Sequence, residues 1–160
     1  TKGESMTKKM AIIATKGTLD MAYPPFILAS TAAALGYDVQ IFFTFYGLQL
    51  LRKDLSDVKI SPLANPAMPM PVPMPVMVQA LPGMETIATM MMKQKLKKHG
   101  VATLEELRDL CLEADVKFIA CQMTVDLFEF DKSEFIKEVE YGGAAMFFGF
   151  AGETDICLFV

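Results

Sequence analysis

Four short apolar runs constrain this chain more than any other feature: "KMAIIAT" (9–15), "DVQIFFTF" (38–45), "VKFIAC" (116–121) and "DICLFV" (155–160). β-branched, aromatic and other apolar residues dominate each run, which is the composition of a strand. A strand that is apolar on both faces must be covered on both faces, as in a parallel sheet held between helical layers. The stretches between the runs read as helices. "YPPFILASTAAALGYD" (23–38) opens with two prolines that suit a first turn, where a missing N–H is harmless. "YGLQLLRKDL" (46–55) is a short helix, and "METIATMMMKQKLKKHG" (84–100) is an amphipathic one. "TLEELRDLCLEA" (103–114) begins with Thr103 and carries Glu106 three residues on, a capping box. A further helix opens at Gln122 or Met123, another spans 133–140 behind Ser133, and a short one spans 142–153. The first strand, helix and second strand make a right-handed βαβ unit. With 160 residues, 52% hydrophobic, and neither an internal repeat nor a linker, the chain is expected to be one domain. Its expected class is α/β: a three-layer sandwich with a mostly parallel sheet covered by helices. Residues 1–7 read as a flexible extension or tag remnant, with Met6 as a native start, and 60–83 reads as an insertion.

In open sheets of this kind the functional site lies off the carboxyl ends of the strands, near a topological switch point. That edge carries Thr15 and Lys16, then Thr44, Phe45 and Tyr46, then Cys121 and Gln122. Of the three cysteines, Cys121 falls there, whereas Cys111 lies within a helix and Cys157 within a strand. A cysteine at such a place is either a core thiol that happens to end a strand or a nucleophile. The second reading needs a lowered pKa, because the thiolate is the reactive form. Backbone N–H groups at a helix start after Cys121 would favour the thiolate, and Lys16 would add positive charge. Asp126 would oppose this if it faced the sulfur.

Other chemistries find less support. The net charge of −4 and pI near 5.0 argue against nucleic acid, and the lysine run "MKQKLKKHG" (92–100) reads as a solvated helix end. An odd cysteine count without CxxC spacing argues against a disulfide framework and fits a reducing cytoplasm. His99 is the single histidine and sits in the lysine run, so no zinc site or Cys-His pair is expected. "TKGTLD" (15–20) lacks the glycine patterns of a nucleotide loop. Gly142 and Gly143 read as a tight turn, and Glu140 and Tyr141 before them as structural. The segment 60–83 holds seven of the nine prolines and no charge. Its prolines prevent the continuous helix that lipid demands, so it is expected to be covered, in part between subunits. Most of the thirteen methionines lie between Met68 and Met92. They suit flexible apolar packing, with a soft-metal site together with Cys121 as the less favoured reading.

The chain resembles the DsrE/DsrF-like family of sulfur-handling proteins, and most of all its peroxiredoxin-like, DsrE-like sulfurtransferase subgroup. The residues that carry the resemblance are "FFTFYGLQLL" (42–51), the proline-methionine stretch with "LPGMETIATMMM" (81–92), "ACQMTVDLF" (120–128) and "VEYGGAAMF" (139–147). The peroxiredoxin label fits poorly, since neither a peroxiredoxin-type motif nor a clear resolving thiol is present. The resemblance implies a flavodoxin-like α/β sandwich that assembles as a homo-oligomer and needs no cofactor. It also implies a cytoplasmic sulfur relay between donor and acceptor proteins, with any membrane association through a partner. The persulfide-bearing cysteine of active members matches Cys121; from their place on the same sheet edge, Lys16, Thr44, Tyr46 and Gln122 are expected to surround the transferred sulfur. The competing expectation is a non-enzymatic assembly subunit, in which Cys121 is buried and inert.

Overall fold

The structure, a computed structural model, describes residues 6–60 and 75–160. Five strands form: β1 (Lys9–Ala14), β2 (Asp38–Phe43), β3 (Lys117–Cys121), β4 (Glu140–Gly142) and β5 (Ile156–Phe159). They pair in the order β4-β3-β2-β1-β5, and every pair is parallel. Six helices accompany them: α1 (Leu19–Ala34), α2 (Val76–Gln79), α3 (Met84–Lys98), α4 (Leu104–Glu113), α5 (Gln122–Leu127) and α6 (Ala144–Ala151). Short 3-10 helices occupy Phe45–Leu51 and Lys132–Glu134.

The apolar strands are covered on both sides, as their composition requires. Ile12, Ile41, Phe43 and Phe118 face the layer of α1 and α4, where they meet Phe26, Leu104 and Cys111. Ala11, Phe42, Ile119 and Cys121 alternate to the opposite face and pack beneath Phe147 of α6. Phe26, Phe43 and Phe118 lock α1 to the central strands. Their ring centroids lie 6.0 Å (Phe26–Phe43), 5.8 Å (Phe26–Phe118) and 5.3 Å (Phe43–Phe118) apart. The capping box of α4 forms as its sequence indicates. The Thr103 N–H donates to Glu106 Oε2 at 2.8 Å, and the Glu106 N–H donates to Thr103 Oγ1 at 3.2 Å.

Three expectations differ from the observed elements. α1 starts a turn early, at Leu19, so Pro24 and Pro25 lie inside it rather than in its first turn. Burial of Leu19, Ala22, Pro25 and Phe26 along one stripe outweighs the hydrogen bonds the prolines cannot make. The residues after Tyr46 form a 3-10 helix that ends at Leu51 instead of an α-helix reaching Leu55. The helix expected over 133–140 does not form. Asp131 Oδ1 accepts from the Ser133 N–H at 2.9 Å and closes only a single turn. Phe135 then pairs with Arg52, the Ile136 N–H donates to the Leu51 carbonyl at 3.0 Å, and the chain becomes β4. Phe135 and Val139, spaced like one face of a helix, are buried without forming one, Phe135 from extended backbone and Val139 at the end of a turn. Of the expected 60–83 insertion, 61–74 lie outside the described residues, as do residues 1–5 of the expected extension. Among the described residues no helix is long and apolar enough to cross a membrane.

The connection from β3 to β4 runs through α5, whose Val125 joins the α1–α4 core. The next connection, from β4 to β5, carries α6 across the opposite face. Successive connections leave to opposite faces, which makes the carboxyl ends of β3 and β4 a switch point of the sheet. The register there sets Cys121 beside Gly142. The aromatic triangle gives a direct test of this frame. Phe26 is fully buried, so Phe26→Ala is expected to cost about 3–5 kcal/mol in denaturant unfolding.

Candidate functional site

Cys121 is the last residue of β3 and the N-cap of α5. The residue is buried, 5% exposed, in the cluster with Phe42, Ile119 and Phe147. β2 pairs with β3 so that Phe43 meets Ala120, and one step further Thr44 comes level with Cys121. Thr124, one turn into α5, is fully buried against the same point. The Thr44 and Thr124 hydroxyls are 3.2 Å apart, and the Phe45 N–H donates to Thr124 Oγ1 at 3.3 Å. Burial pushes the Cys121 thiol up, but four donors outweigh it and hold the pKa below the ordinary thiol range. In falling order these are the Thr124 hydroxyl, the Thr124 N–H, the Thr44 hydroxyl and the Met123 N–H. The Cys121 side chain makes no capping hydrogen bond on α5.

Close backbone approaches hold these groups in place. A Cβ on Gly47 would overlap the Ala14 carbonyl oxygen, so only glycine lets the 3-10 helix sit against the end of β1. At its far end the same helix is clamped by Arg108, whose Nη1 donates to the Leu50 carbonyl at 3.0 Å and the Arg52 carbonyl at 2.6 Å. Phe45 adopts a left-handed φ of 48°, a strained conformation for a side chain of that size. A Cβ on Gly142 would overlap the Met146 sulfur, so the bare glycine beside Cys121 makes room for a methionine from α6. Around this point Phe45, Tyr46, Met123, Leu127 and Phe128 are exposed, with Tyr46 stacked on Phe128 at 5.8 Å.

The residues singled out from the sequence divide into two groups. Thr44 is level with Cys121 across the β2–β3 pairing and its hydroxyl helps lower the thiol pKa, while Tyr46 stacks on Phe128. Gln122 turns outward, where its Nε2 donates to Asp126 Oδ1 at 2.7 Å and its Oε1 accepts from Lys132 Nζ at 2.9 Å. Asp126 is thereby engaged away from the sulfur. Lys16 is exposed beyond β1, two strands from β3, and is not among the groups that shift the thiol. Lys132 also sits 4.2 Å from the ring centroid of Tyr141. Thr124 was not anticipated from the sequence. Its signal was its place three residues after Cys121, the spacing at which an N-cap side chain meets its helix. Cys111 is sealed in the core and pushed up to about 12 by burial, with its Sγ donating to the Phe26 carbonyl at 3.4 Å. Cys157 is exposed on β5.

The all-parallel sheet covered by helices, with Cys121 at the carboxyl end of β3, defines a small α/β protein. The chain belongs to the DsrE/DsrF/DrsH-like family, whose model matches residues 6–159. It is 68% identical over 157 residues to the sulfur carrier protein DsrE2 of Allochromatium vinosum, spanning 96% of this chain and 98% of that protein. It is 34% identical over 156 residues to the uncharacterized protein YrkE of Bacillus subtilis, with the same shares covered. Among solved structures it is similar to the crystal structure of the ychN protein from E. coli. The TM-score is 0.55 at 11% identity, over 96% of this chain and 100% of that one, and the likeness shows the fold alone.

The site predicts distinct behaviour for the three thiols. Alkylation followed by peptide mass spectrometry is expected to give Cys121 a pH midpoint below the unperturbed value of about 8.5. Cys111 is expected to react only after unfolding. A thiol whose folded pKa is depressed adds stability above its unfolded pKa, and that stability is lost as pH falls through the folded value. Cys121→Ala is therefore expected to flatten the rise of stability with pH across that window.

Proposed function

We propose that this chain is a sulfur carrier or sulfurtransferase that holds sulfur as a persulfide on Cys121 and passes it between proteins. The observation that carries the reading is the combination of a strand-end thiol, donors that favour its thiolate, and 68% identity to a named sulfur carrier. The chemistry is thiol–disulfide exchange. The Cys121 thiolate attacks the outer sulfur of a donor persulfide, the S–S bond to the donor breaks, and the donor leaves as its thiolate. An acceptor thiolate then attacks the outer sulfur on Cys121, which departs as the thiolate it was at the start. Electrons balance in both steps, so no oxidant, reductant or cofactor enters.

The surrounding residues fit this reading. Thr44 lies level with Cys121 and favours its thiolate, while Tyr46 stacked on Phe128 would offer an apolar landing for a partner. Gln122, next to Cys121 in the chain, and the exposed Lys16 at the end of β1 would meet polar groups of the incoming protein. A persulfide carrier needs compartments that keep thiols reduced, and the three free cysteines accord with the cytoplasm. Assembly as a homo-oligomer belongs to the proposal. Phe148 and Phe159 stay 67% and 70% exposed on α6 and on the edge strand β5, and apolar surface of that kind marks interfaces.

Incubation with a small-molecule persulfide and weighing of the intact protein test the reading. A gain of one sulfur atom is expected, absent in Cys121→Ser and retained in Cys157→Ser. A reduced wild-type protein that gains nothing, or one that loads equally well without Cys121, contradicts it.

A further inference from the structure

The last turns of α3 border a cavity instead of packing on the core. α3 is tied at its middle, where Ala88 is buried and Thr89 Oγ1 accepts from the Ile60 N–H at 3.0 Å. Further along the same face come Met92 and Leu96, and both are only half-buried. Gly100 then turns the chain with a left-handed φ of 69°, and Val101 to Thr103 lead into α4. Between α3, the start of α1 and the start of α4 lies a space of about 660 Å³. Protein interiors leave few voids larger than a water molecule, and roughly 300–1,000 Å³ is the size of a small-molecule site.

The floor of the cavity is aliphatic. Leu19, Leu55 and Leu104 line it from buried positions, and the half-buried Leu96 lines it from α3. Tyr23 of α1 is fixed against it, because its Oη donates to the Ala102 carbonyl at 3.1 Å and so has spent its one hydrogen. Charge is confined to exposed side chains. Lys93 and Lys97, one turn apart, stand on the α3 side, and Glu105 and Glu106 stand on the α4 side. Among the described residues no ion pair joins the two sides. Glu106 is engaged in the capping box, where its Oε2 accepts from the Thr103 N–H, whereas neither lysine meets a carboxylate.

These features select a class of ligand. Four leucines suit an aliphatic chain, which gains in affinity with each methylene taken out of water. The two lysines suit an anionic head, since their stems lie along apolar surface while the ammonium groups reach out to it. The glutamates opposite disfavour a second negative charge. We propose that the cavity binds an amphiphilic monoanion, an aliphatic carboxylate of medium chain length, with its chain on the leucines and its head at Lys93 and Lys97. The site is separate from the sulfur chemistry, for none of Cys121, Thr44, Tyr46 and Gln122 lines it.

Isothermal titration calorimetry with hexanoate, octanoate and decanoate, each below its micelle concentration, tests the proposal. Decanoate is expected to bind with a single equivalent per chain, and affinity to rise by about threefold per methylene along the series. Lys93→Gln combined with Lys97→Gln is expected to weaken decanoate by about fivefold, a modest loss because exposed charges contribute little each. Val101→Trp, at a lining residue that is 40% exposed, is expected to abolish binding by filling the space. Decylammonium is expected to bind more weakly than decanoate, and Cys121→Ser to leave decanoate binding unchanged. A wild type that does not bind decanoate, or an affinity that stays flat along the series, overturns the proposal. So does a lysine double variant that matches the wild type, a Val101→Trp protein that still binds, decylammonium that binds as tightly as decanoate, or a loss of binding in Cys121→Ser. Should Val101→Trp not fold, Leu96→Gln carries the test. It is expected to weaken decanoate by about fivefold, and an unchanged affinity overturns the proposal.

Discussion

The pairing of β2 with β3, Phe43 against Ala120, is the constraint on which the site depends. It brings Thr44 level with Cys121 and delivers the Phe45 N–H to Thr124. A slip of one residue would turn Cys121 into the α1–α4 core and carry Thr44 away from it, since neighbouring side chains on a strand point to opposite faces. The register is held from below by Phe26, Phe43 and Phe118, and from the side by Gly47 seated on the Ala14 carbonyl. Core packing and site chemistry are thus two consequences of one alignment.

Much of this was legible in the chain. Strands apolar on both faces required a sheet covered twice, and the parallel order followed from helices of crossover length between them. The carboxyl edge of such a sheet picked Cys121 over Cys111 and Cys157. Two things were hidden, for physical reasons. The stretch 133–140 has the spacing of a helix, but its fate is decided by Phe135 pairing with Arg52, a contact between distant parts of the chain. Thr124 looked like one helical residue among others, because its value lies in a hydroxyl partner 80 positions earlier in the chain. Periodicity sees neither, since both are long-range. The expected role of Lys16 rested on charge near a strand end, and the thiol is instead governed by neutral donors.

Neutral donors suit a carrier. A fixed cation would attract the thiolate and an ionised persulfide alike, holding sulfur as firmly as it helped sulfur leave. Cys121 is 5% exposed, and Phe45, Tyr46 and Phe128 form an exposed aromatic cluster at the same sheet edge.

A high-resolution crystal structure of the persulfide-loaded protein tests the account most directly. The account predicts one extra sulfur about 2.05 Å from Cys121 Sγ. Added sulfur on Cys157 with Cys121 unmodified would contradict it.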